Sequence, residues 1–171
     1  MTSKADFHTD DLLTCGFEKL YQAGVRNLFL DLDNTLESPF QKEPTERVKT
    51  IGERARSAGL NLAVVSNNSH PEKVQKFAQA VGARWWLCSA RKPSSKRLKK
   101  LIEREGLNPG ECALAGDQLL TDRPCALGAN ILFVLVEPVS RKDAVQTRLN
   151  RLLEKPFRRR WKKRNLLGEK I

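Results

Sequence analysis

Short apolar runs alternate with amphipathic stretches along most of the chain. Five runs have no helical period and are typical of buried strands, at residues 27–33, 60–68, 83–90, 111–117 and 130–136. The stretches between them place apolar residues at helical spacing, with proline or glycine near their ends, at residues 43–59, 71–82 and 93–106, and a short helix or turn covers 118–127. This alternation predicts an α/β fold, a parallel sheet with helices on both faces.

Polar side chains stand at the carboxyl ends of four predicted strands. Asp31, Ser66 and Asp117 each lie at or near the carboxyl end of a predicted strand, and Lys92 follows its own strand by a few residues. Ligands of open parallel sheets bind in the crevice outside these ends. Asp31 and Asp33 also follow an apolar run, where a carboxylate is costly to bury unless a positive charge pairs with it. The pattern therefore predicts that four segments meet at one site.

Four short motifs at these positions resemble those of the haloacid dehalogenase (HAD) superfamily of phosphatases in order and spacing. They are DLDNT (31–35), VVSNN (64–68), RKP (91–93) and GDQLLTD (116–122). The chain is more similar still to the YqeG-type subgroup, HAD subfamily IIIA, over about residues 15–155. The resemblance implies a HAD-like, Rossmannoid fold. One stretch departs from the subgroup pattern, because DRPCALGAN (122–130) has Pro124 and Cys125 near the place of expected small residues.

The resemblance also implies a role for each acidic residue. Asp31 would be the nucleophile that forms an aspartyl-phosphate, and Asp33 would protonate the leaving alkoxide and later activate water. Side chains two residues apart on a strand point the same way, so both carboxylates would face one site. Mg²⁺, which prefers oxygen ligands, would be held by Asp31, Asp117 and the backbone carbonyl of Asp33. Asp122, from the same turn as Asp117, is a further candidate ligand.

The remaining motif residues would bind the phosphate. Ser66 would hydrogen-bond a phosphate oxygen, and Lys92 would hold its charge. Three residues could offer amides to the same anion, namely Asn34, Thr35 and Asn67. Each type also has ordinary structural uses, since an isolated serine or aspartate often caps a strand or helix. Catalysis is favoured because the four motifs occur together on the predicted sheet.

Composition divides the chain into two parts. The 171 residues carry a formal charge of +11, and residues 141–171 hold twelve Lys or Arg against three acids, a net of +9. We therefore expect a near-neutral phosphatase domain over 1–140 and a basic, helical tail over 141–171 that packs partly on it and breaks at Pro156. No apolar run approaches the roughly 20 residues of a membrane span. With no signal-peptide pattern and four scattered cysteines, the sequence favours a cytoplasmic protein.

The predicted active site has no room for a cap domain. Only 32 residues separate Asp33 from Ser66, and 25 separate Ser66 from Lys92. The helix and strand expected in each interval use most of its length. An open site suits a large or surface-embedded substrate.

The tail suggests an anionic surface as partner. Residues 155–164, KPFRRRWKKR, hold seven basic residues interleaved with Phe157 and Trp161. Each Lys or Arg near an anionic bilayer contributes about 1 kcal/mol, and aromatic residues favour the interface. The YqeG-type group is similar to mitochondrial and plastid phosphatidylglycerophosphatases. The resemblance implies that the enzyme dephosphorylates phosphatidylglycerophosphate. From the charge of Lys155–Arg164 we expect this segment to hold the enzyme on the inner face of the membrane.

Two alternatives follow from the same residues. The tail could contact RNA, since phosphate backbones attract Lys and Arg without sequence preference and Trp161 could stack on a base. The protein would then be an RNA- or ribosome-associated factor. A third reading is a small-molecule phosphatase with a solvated tail.

Overall fold

A computed structural model of the protein describes residues 6–140 and 168–171. Seven strands form one sheet: β1 (Phe7–Thr9), β2 (Asn27–Leu30), β3 (Asn61–Val65), β4 (Trp85–Leu87), β5 (Cys112–Gly116), β6 (Leu132–Val136) and β7 (Glu169–Lys170). All the strand pairs are parallel, and the order across the sheet is β4-β3-β2-β5-β6-β1-β7. The helices are α1 (Phe17–Gln22), α2 (Glu46–Ser57), α3 (Pro71–Val81), α4 (Lys96–Arg104) and α5 (Asp122–Gly128), with a 3₁₀ turn at Pro109–Glu111.

The sheet separates two apolar cores. Alternate residues of β2 enter different cores, with Leu28 and Leu30 on one side and Phe29 on the other. The first core also contains buried residues of α1, α2 and α3, whereas the second contains those of α4 and α5. Because side chains alternate along a strand, this division follows from the apolar run itself. The α/β fold with helices on both faces is confirmed.

The path of the chain creates a crevice at the carboxyl ends of β2 and β5. From β2 the chain moves outward to β3 and β4, then returns to form β5 on the other side of β2. Such a topological switch point is where ligands of parallel sheets bind. Asp31 follows β2, Ser66 follows β3 and Asp117 follows β5. These three residues therefore border one crevice.

Two helices that support this crevice approach each other closely. A Cβ atom added to Gly52 of α2 would lie 2.1 Å from the carbonyl oxygen of Val81, the last residue of α3. Gly82 then ends α3 in the left-handed conformation, with φ 70°. The predicted glycine near the end of this helix thus acts as its C-cap.

The two intervals in which a cap domain could be inserted, Asp33 to Ser66 and Ser66 to Lys92, are short. Within residues 6–140, the loop between β2 and α2 contains one isolated bridge, between Asp33 and Glu37. The connection between β3 and α3 is only residues 66–70. The absence of a cap from this part of the chain is confirmed.

Three elements differ from the sequence-based expectation. β1 and α1 were not predicted, because β1 is only three residues long and α1 only six. Residues 169–170, assigned to the helical tail, form β7 beside β1, and Ile171 is buried in the first core. The rest of that tail, including Pro156 and the basic segment 155–164, lies outside the described residues.

β2 also ends earlier than predicted. The strand stops at Leu30, and residues 31–37 form a tight turn in which Asn34 has φ 68°. Asp33 is therefore positioned by this turn, not by the alternation of side chains along a strand.

No helix in the described ranges is long and apolar enough to cross a bilayer.

Candidate active site

A buried lysine joins two aspartates at the carboxyl end of the sheet. The Nζ atom of Lys92 lies 2.5 Å from Oδ1 of Asp31 and 2.6 Å from Oδ1 of Asp122. The exposed fractions of Lys92, Asp31 and Asp122 are 6%, 4% and 0%. Charges this deeply buried are tolerated only when they are paired. The predicted nucleophile, the predicted phosphate ligand and the additional metal candidate therefore form one ionic cluster.

Asn67 fixes the backbone of Lys92. Its carboxamide donates to the Lys92 carbonyl oxygen at 2.9 Å and accepts from the Lys92 amide at 2.7 Å. Its side chain therefore holds the loop that carries the lysine. The carboxamide nitrogen has a second N–H, and the contact of Asn67 with the phosphate stays a prediction.

Gly116 provides the space in which Asp122 is buried. A Cβ atom at Gly116 would lie 2.4 Å from the Asp122 carboxyl group, so any larger residue would displace it. The other oxygen, Oδ2, accepts the backbone amide of Gln118 at 3.0 Å. Asp122 begins α5, and Pro124 falls in the first turn, where a backbone N–H has no intrahelical acceptor. The departure from the subgroup pattern therefore leaves this helix intact.

Three carboxylates could share a metal ion here. Asp31, Asp117 and Asp122 each place an oxygen within 4.8 Å of the others, and all three are buried. If all three are ionised, Lys92 offsets one charge and a formal −2 remains. A divalent cation matches both this charge and the oxygen-only ligand set, which is the type preferred by Mg²⁺. The residues present therefore fit Mg²⁺.

The pKa values of the cluster agree with this charge balance. Burial and the neighbouring carboxylates of Asp122 and Asp117 raise the pKa of Asp31 well above its usual range, although Lys92 acts in the opposite direction. Burial lowers the pKa of Lys92, but the attraction of Asp122 and Asp31 outweighs burial and raises it overall. The ammonium group of Lys92 is therefore charged at neutral pH. The carboxylates around Asp31 carry more negative charge than this one lysine can neutralise.

Asp33 belongs to a second ionic group beside the first. Its Oδ1 accepts from Nζ of Lys73 at 2.9 Å, and its Oδ2 accepts from the carboxamide of Asn68 at 3.2 Å. Lys73 lies in the first turn of α3 and also donates to the carbonyl oxygen of Pro39. The general-acid candidate is thus held by two residues that no motif-based role included.

Ser66 is bonded to Asn68, a member of the second group. Its hydroxyl oxygen accepts the backbone amide of Asn68 at 3.0 Å, and the residue is 1% exposed. A hydroxyl that accepts one hydrogen bond still has its own proton to donate. Ser66 therefore retains the donor that its predicted role requires.

Asn34 and Thr35 are buried in the turn after β2. The Asn34 amide donates to the carbonyl oxygen of Glu37 at 2.7 Å, and its Oδ1 accepts from the Ser140 amide at 3.2 Å. Asn34 therefore shapes the turn, and its contact with the phosphate stays a prediction. The Thr35 hydroxyl lies 3.5 Å from Oδ1 of Asp117, at the limit of hydrogen-bond range. Thr35 thus faces a carboxylate of the cluster.

Comparison with known proteins gives two sequence relatives. A protein of Bacillus subtilis (strain 168) described as "Probable phosphatase YqeG" is 34% identical over 141 residues, which cover 81% of this chain and 79% of the relative. The Arabidopsis thaliana protein "Phosphatidylglycerophosphate phosphatase 1, chloroplastic/mitochondrial" is 27% identical over 165 residues, covering 91% of this chain and 47% of the relative. No family model matches the sequence.

Among solved structures, 3-deoxy-D-manno-octulosonate 8-phosphate phosphatase from Moraxella catarrhalis shares the fold with a TM-score of 0.50. That structure contains a magnesium ion, a phosphate ion and a KDO molecule. The identity is 19%, and the match covers 81% of this chain and 91% of the other.

Proposed function

Because the chain belongs to the YqeG-type family of HAD phosphatases, we propose that it hydrolyses a lipid phosphomonoester, phosphatidylglycerophosphate, with the help of Mg²⁺. The observation that carries the reaction class is the buried group of Asp31, Asp117, Asp122 and Lys92 at the switch point of the sheet. Such a group is expensive to bury for stability alone. Phosphoryl transfer uses this combination, because it needs a nucleophile and charge neutralisation at one point.

The first chemical step uses the two aspartates after β2. A carboxylate oxygen of Asp31 attacks phosphorus, and the bond from phosphorus to the leaving-group oxygen breaks. Asp33 gives its proton to that oxygen, so the alcohol leaves neutral. In the second step, the Asp33 carboxylate removes a proton from water, the water oxygen bonds to phosphorus, and the bond from phosphorus to the Asp31 oxygen breaks. Inorganic phosphate departs, and both side chains return to their starting forms.

Other residues would stabilise the transferring group. Lys92, fixed by Asn67, places positive charge beside the nucleophile, and the Ser66 hydroxyl can donate to a phosphoryl oxygen. Asp31, Asp117 and Asp122 would hold Mg²⁺ together with the Asp33 carbonyl oxygen. When bound, the ion supplies electrostatic stabilisation of charge on the phosphoryl oxygens.

Three observations support a lipid substrate. The Arabidopsis relative is described as a phosphatase of phosphatidylglycerophosphate, although this chain spans only about half of its length. The crevice has no cap in the described residues, so a substrate still embedded in a bilayer could reach it. Residues 155–164 carry seven basic side chains, and we propose that they hold the protein on the cytoplasmic face of an anionic membrane.

The first experiment measures phosphate release from phosphatidylglycerophosphate in mixed micelles. Wild type with Mg²⁺ is compared with wild type in EDTA and with Asp31→Asn, using a sugar phosphate and an aryl phosphate as reference substrates. We expect fast release from the lipid that requires Mg²⁺ and Asp31. If the protein hydrolyses the aryl phosphate in an Asp31-dependent way but does not hydrolyse the lipid, it is a phosphatase and phosphatidylglycerophosphate is not its substrate.

A second experiment tests the membrane contact. Replacing the seven basic residues of 155–164 by glutamine is preferable to truncation, because Ile171 is buried and residues 169–170 pair with β1. We expect the variant to lose flotation with anionic vesicles and to keep turnover of an aryl phosphate. Flotation that is independent of anionic lipid, combined with a gel shift on RNA that needs the same residues, would favour the RNA alternative.

A further inference from the structure

A groove beside Asp33 is not used by the chemistry described above. It encloses about 450 Å³. One wall is the loop before α2, with Lys42 and Glu43, and the other is α3, with Lys73 and Lys76. Asn68 also lines it. Asn68 and Lys73 are the two side chains that hold the Asp33 carboxylate, so the groove adjoins the residues that position the general acid.

Its charge is opposite to that of the aspartate cluster. Three lysines line the groove against two glutamates, so its formal charge is positive. Lys73 and Lys76 are three residues apart on α3 and therefore lie on one face of the helix. The site thus changes from acidic at the nucleophile to basic beyond the general acid.

Lys76 can exchange its partner at small cost. Lys76 pairs with Glu43 at 2.6 Å, but the two side chains are 53% and 68% exposed. Exposed pairs contribute at most about 1 kcal/mol. A ligand anion could therefore take the place of Glu43 on Lys76. The pair by itself does not explain why three lysines surround a groove at this position.

The reaction geometry indicates what enters the groove. A general acid protonates the leaving oxygen, so the leaving group lies on the Asp33 side of phosphorus, away from Asp31. In phosphatidylglycerophosphate the leaving group is phosphatidylglycerol, whose phosphodiester anion is separated from that oxygen by the carbons of one glycerol. We propose that Lys42, Lys73 and Lys76 bind this second, non-scissile phosphodiester and thereby select the substrate. The inference rests on the proposed function.

The test uses headgroups without acyl chains, so that membrane binding does not contribute. Glycerophosphoglycerophosphate carries both phosphates, whereas glycerol 3-phosphate carries only the scissile one. For Lys42→Gln/Lys76→Gln we expect KM for the first substrate to rise at least about tenfold, the scale of one charge-assisted hydrogen bond. Turnover of glycerol 3-phosphate should change less than about twofold, since neither lysine contacts Asp33. The matched control is Lys99→Gln/Lys100→Gln, on exposed positions of α4 across the sheet.

A binding measurement separates recognition from chemistry. Glycerophosphoglycerol is the deacylated product and contains the phosphodiester but no scissile phosphate. It should inhibit hydrolysis of glycerol 3-phosphate competitively in wild type and in the α4 control, and at least about tenfold less in Lys42→Gln/Lys76→Gln.

The outcomes distinguish this inference from the function on which it rests. Suppose that wild type hydrolyses the lipid and that Lys42→Gln/Lys76→Gln loses activity equally, or not at all, on glycerophosphoglycerophosphate and glycerol 3-phosphate. This result would reject the role of the groove and retain the lipid phosphatase. No wild-type turnover of either the lipid or its headgroup would reject the proposed function itself. A 5′-phosphorylated oligonucleotide that is turned over faster than the headgroup, with a KM that depends on Lys42 and Lys76, would assign the groove to a nucleic-acid phosphodiester and overturn the lipid assignment.

Discussion

Lys92 gives the sharpest test of the buried cluster. Lys92→Met removes the ammonium group and keeps most of the side-chain volume. Asp31, Asp117 and Asp122 then remain buried within 4.8 Å of one another without their positive partner. Breaking a buried ion pair by removing one partner costs about 3–5 kcal/mol, against a total stability of about 5–15 kcal/mol for ordinary domains. The variant should therefore fold but be strongly destabilised in EDTA.

Mg²⁺ should restore part of the stability that Lys92→Met loses. A ligand present at 100 times its dissociation constant stabilises the folded state by about 2.7 kcal/mol. We expect Mg²⁺ to raise the unfolding free energy of Lys92→Met as well as that of wild type, because the three carboxylates are retained. Acidification should also reduce the difference between the two proteins, since protonated carboxyl groups no longer repel one another.

The assay is urea denaturation at pH 7 in EDTA and in Mg²⁺, followed by phosphate release. Lys99→Met on the exposed side of α4 is the control and should lie within about 0.5 kcal/mol of wild type. Turnover by Lys92→Met should fall at least about 100-fold, as when one preorganised donor is removed. A variant as stable as wild type in EDTA would refute the view that Lys92 neutralises the aspartates.

Three further predictions follow from neighbouring contacts. The pKa of Asp31 is raised in the folded state, so in Mg²⁺-free protein this group's contribution to stability is full below the unfolded pKa of about 3.9 and is lost as pH rises through the folded pKa. Urea titrations in EDTA should show an unfolding free energy that declines with pH in wild type, and Asp31→Asn should remove this part of the decline. The same dependence on pH in both proteins would contradict the prediction. Asn67→Ala should lower the unfolding free energy by about 1–3 kcal/mol and reduce turnover, because it removes both bonds to the Lys92 backbone. Asn108→Ala, which removes the N-cap of the 3₁₀ turn far from the site, is the control and should keep its turnover. Full activity of Asn67→Ala would show that the lysine needs no such support. Gly52→Ala should lower the unfolding free energy by about 1–3 kcal/mol, since its Cβ would overlap the Val81 carbonyl; calorimetry showing an unchanged Tm would disprove the close contact of α2 and α3.

The sequence predicts the positions of those site residues that directly follow a strand. Asp31, Ser66 and Asp117 follow apolar runs, and the parallel topology alone brings such positions to one edge. Lys92 could be placed only roughly, because a loop separates it from β4. The structure shows that Asn67 fixes this loop, and a bond between two loops leaves no periodic signal in the sequence.

Lys73 was missed for a related reason. Its position in α3 has no motif, and its contact with Asp33 depends on how that helix packs against the turn after β2. Asp33 itself was placed by assuming that β2 continues to residue 33, whereas the strand ends at Leu30. The strands β1 and β7 depend on pairing between residues more than 100 positions apart, which short apolar patterns do not encode.

The two ionic groups divide the reaction between them. Lys92 contacts Asp31 and lies on the nucleophile side, where every phosphomonoester presents the same phosphoryl group. Lys73 contacts Asp33 and lies on the leaving-group side, where substrates differ. Changes at Lys92 should therefore reduce turnover of all substrates by a similar factor, whereas changes along the groove should alter their relative rates. Specificity in a phosphatase without a cap must come from the surface that the leaving group touches, and here that surface is basic.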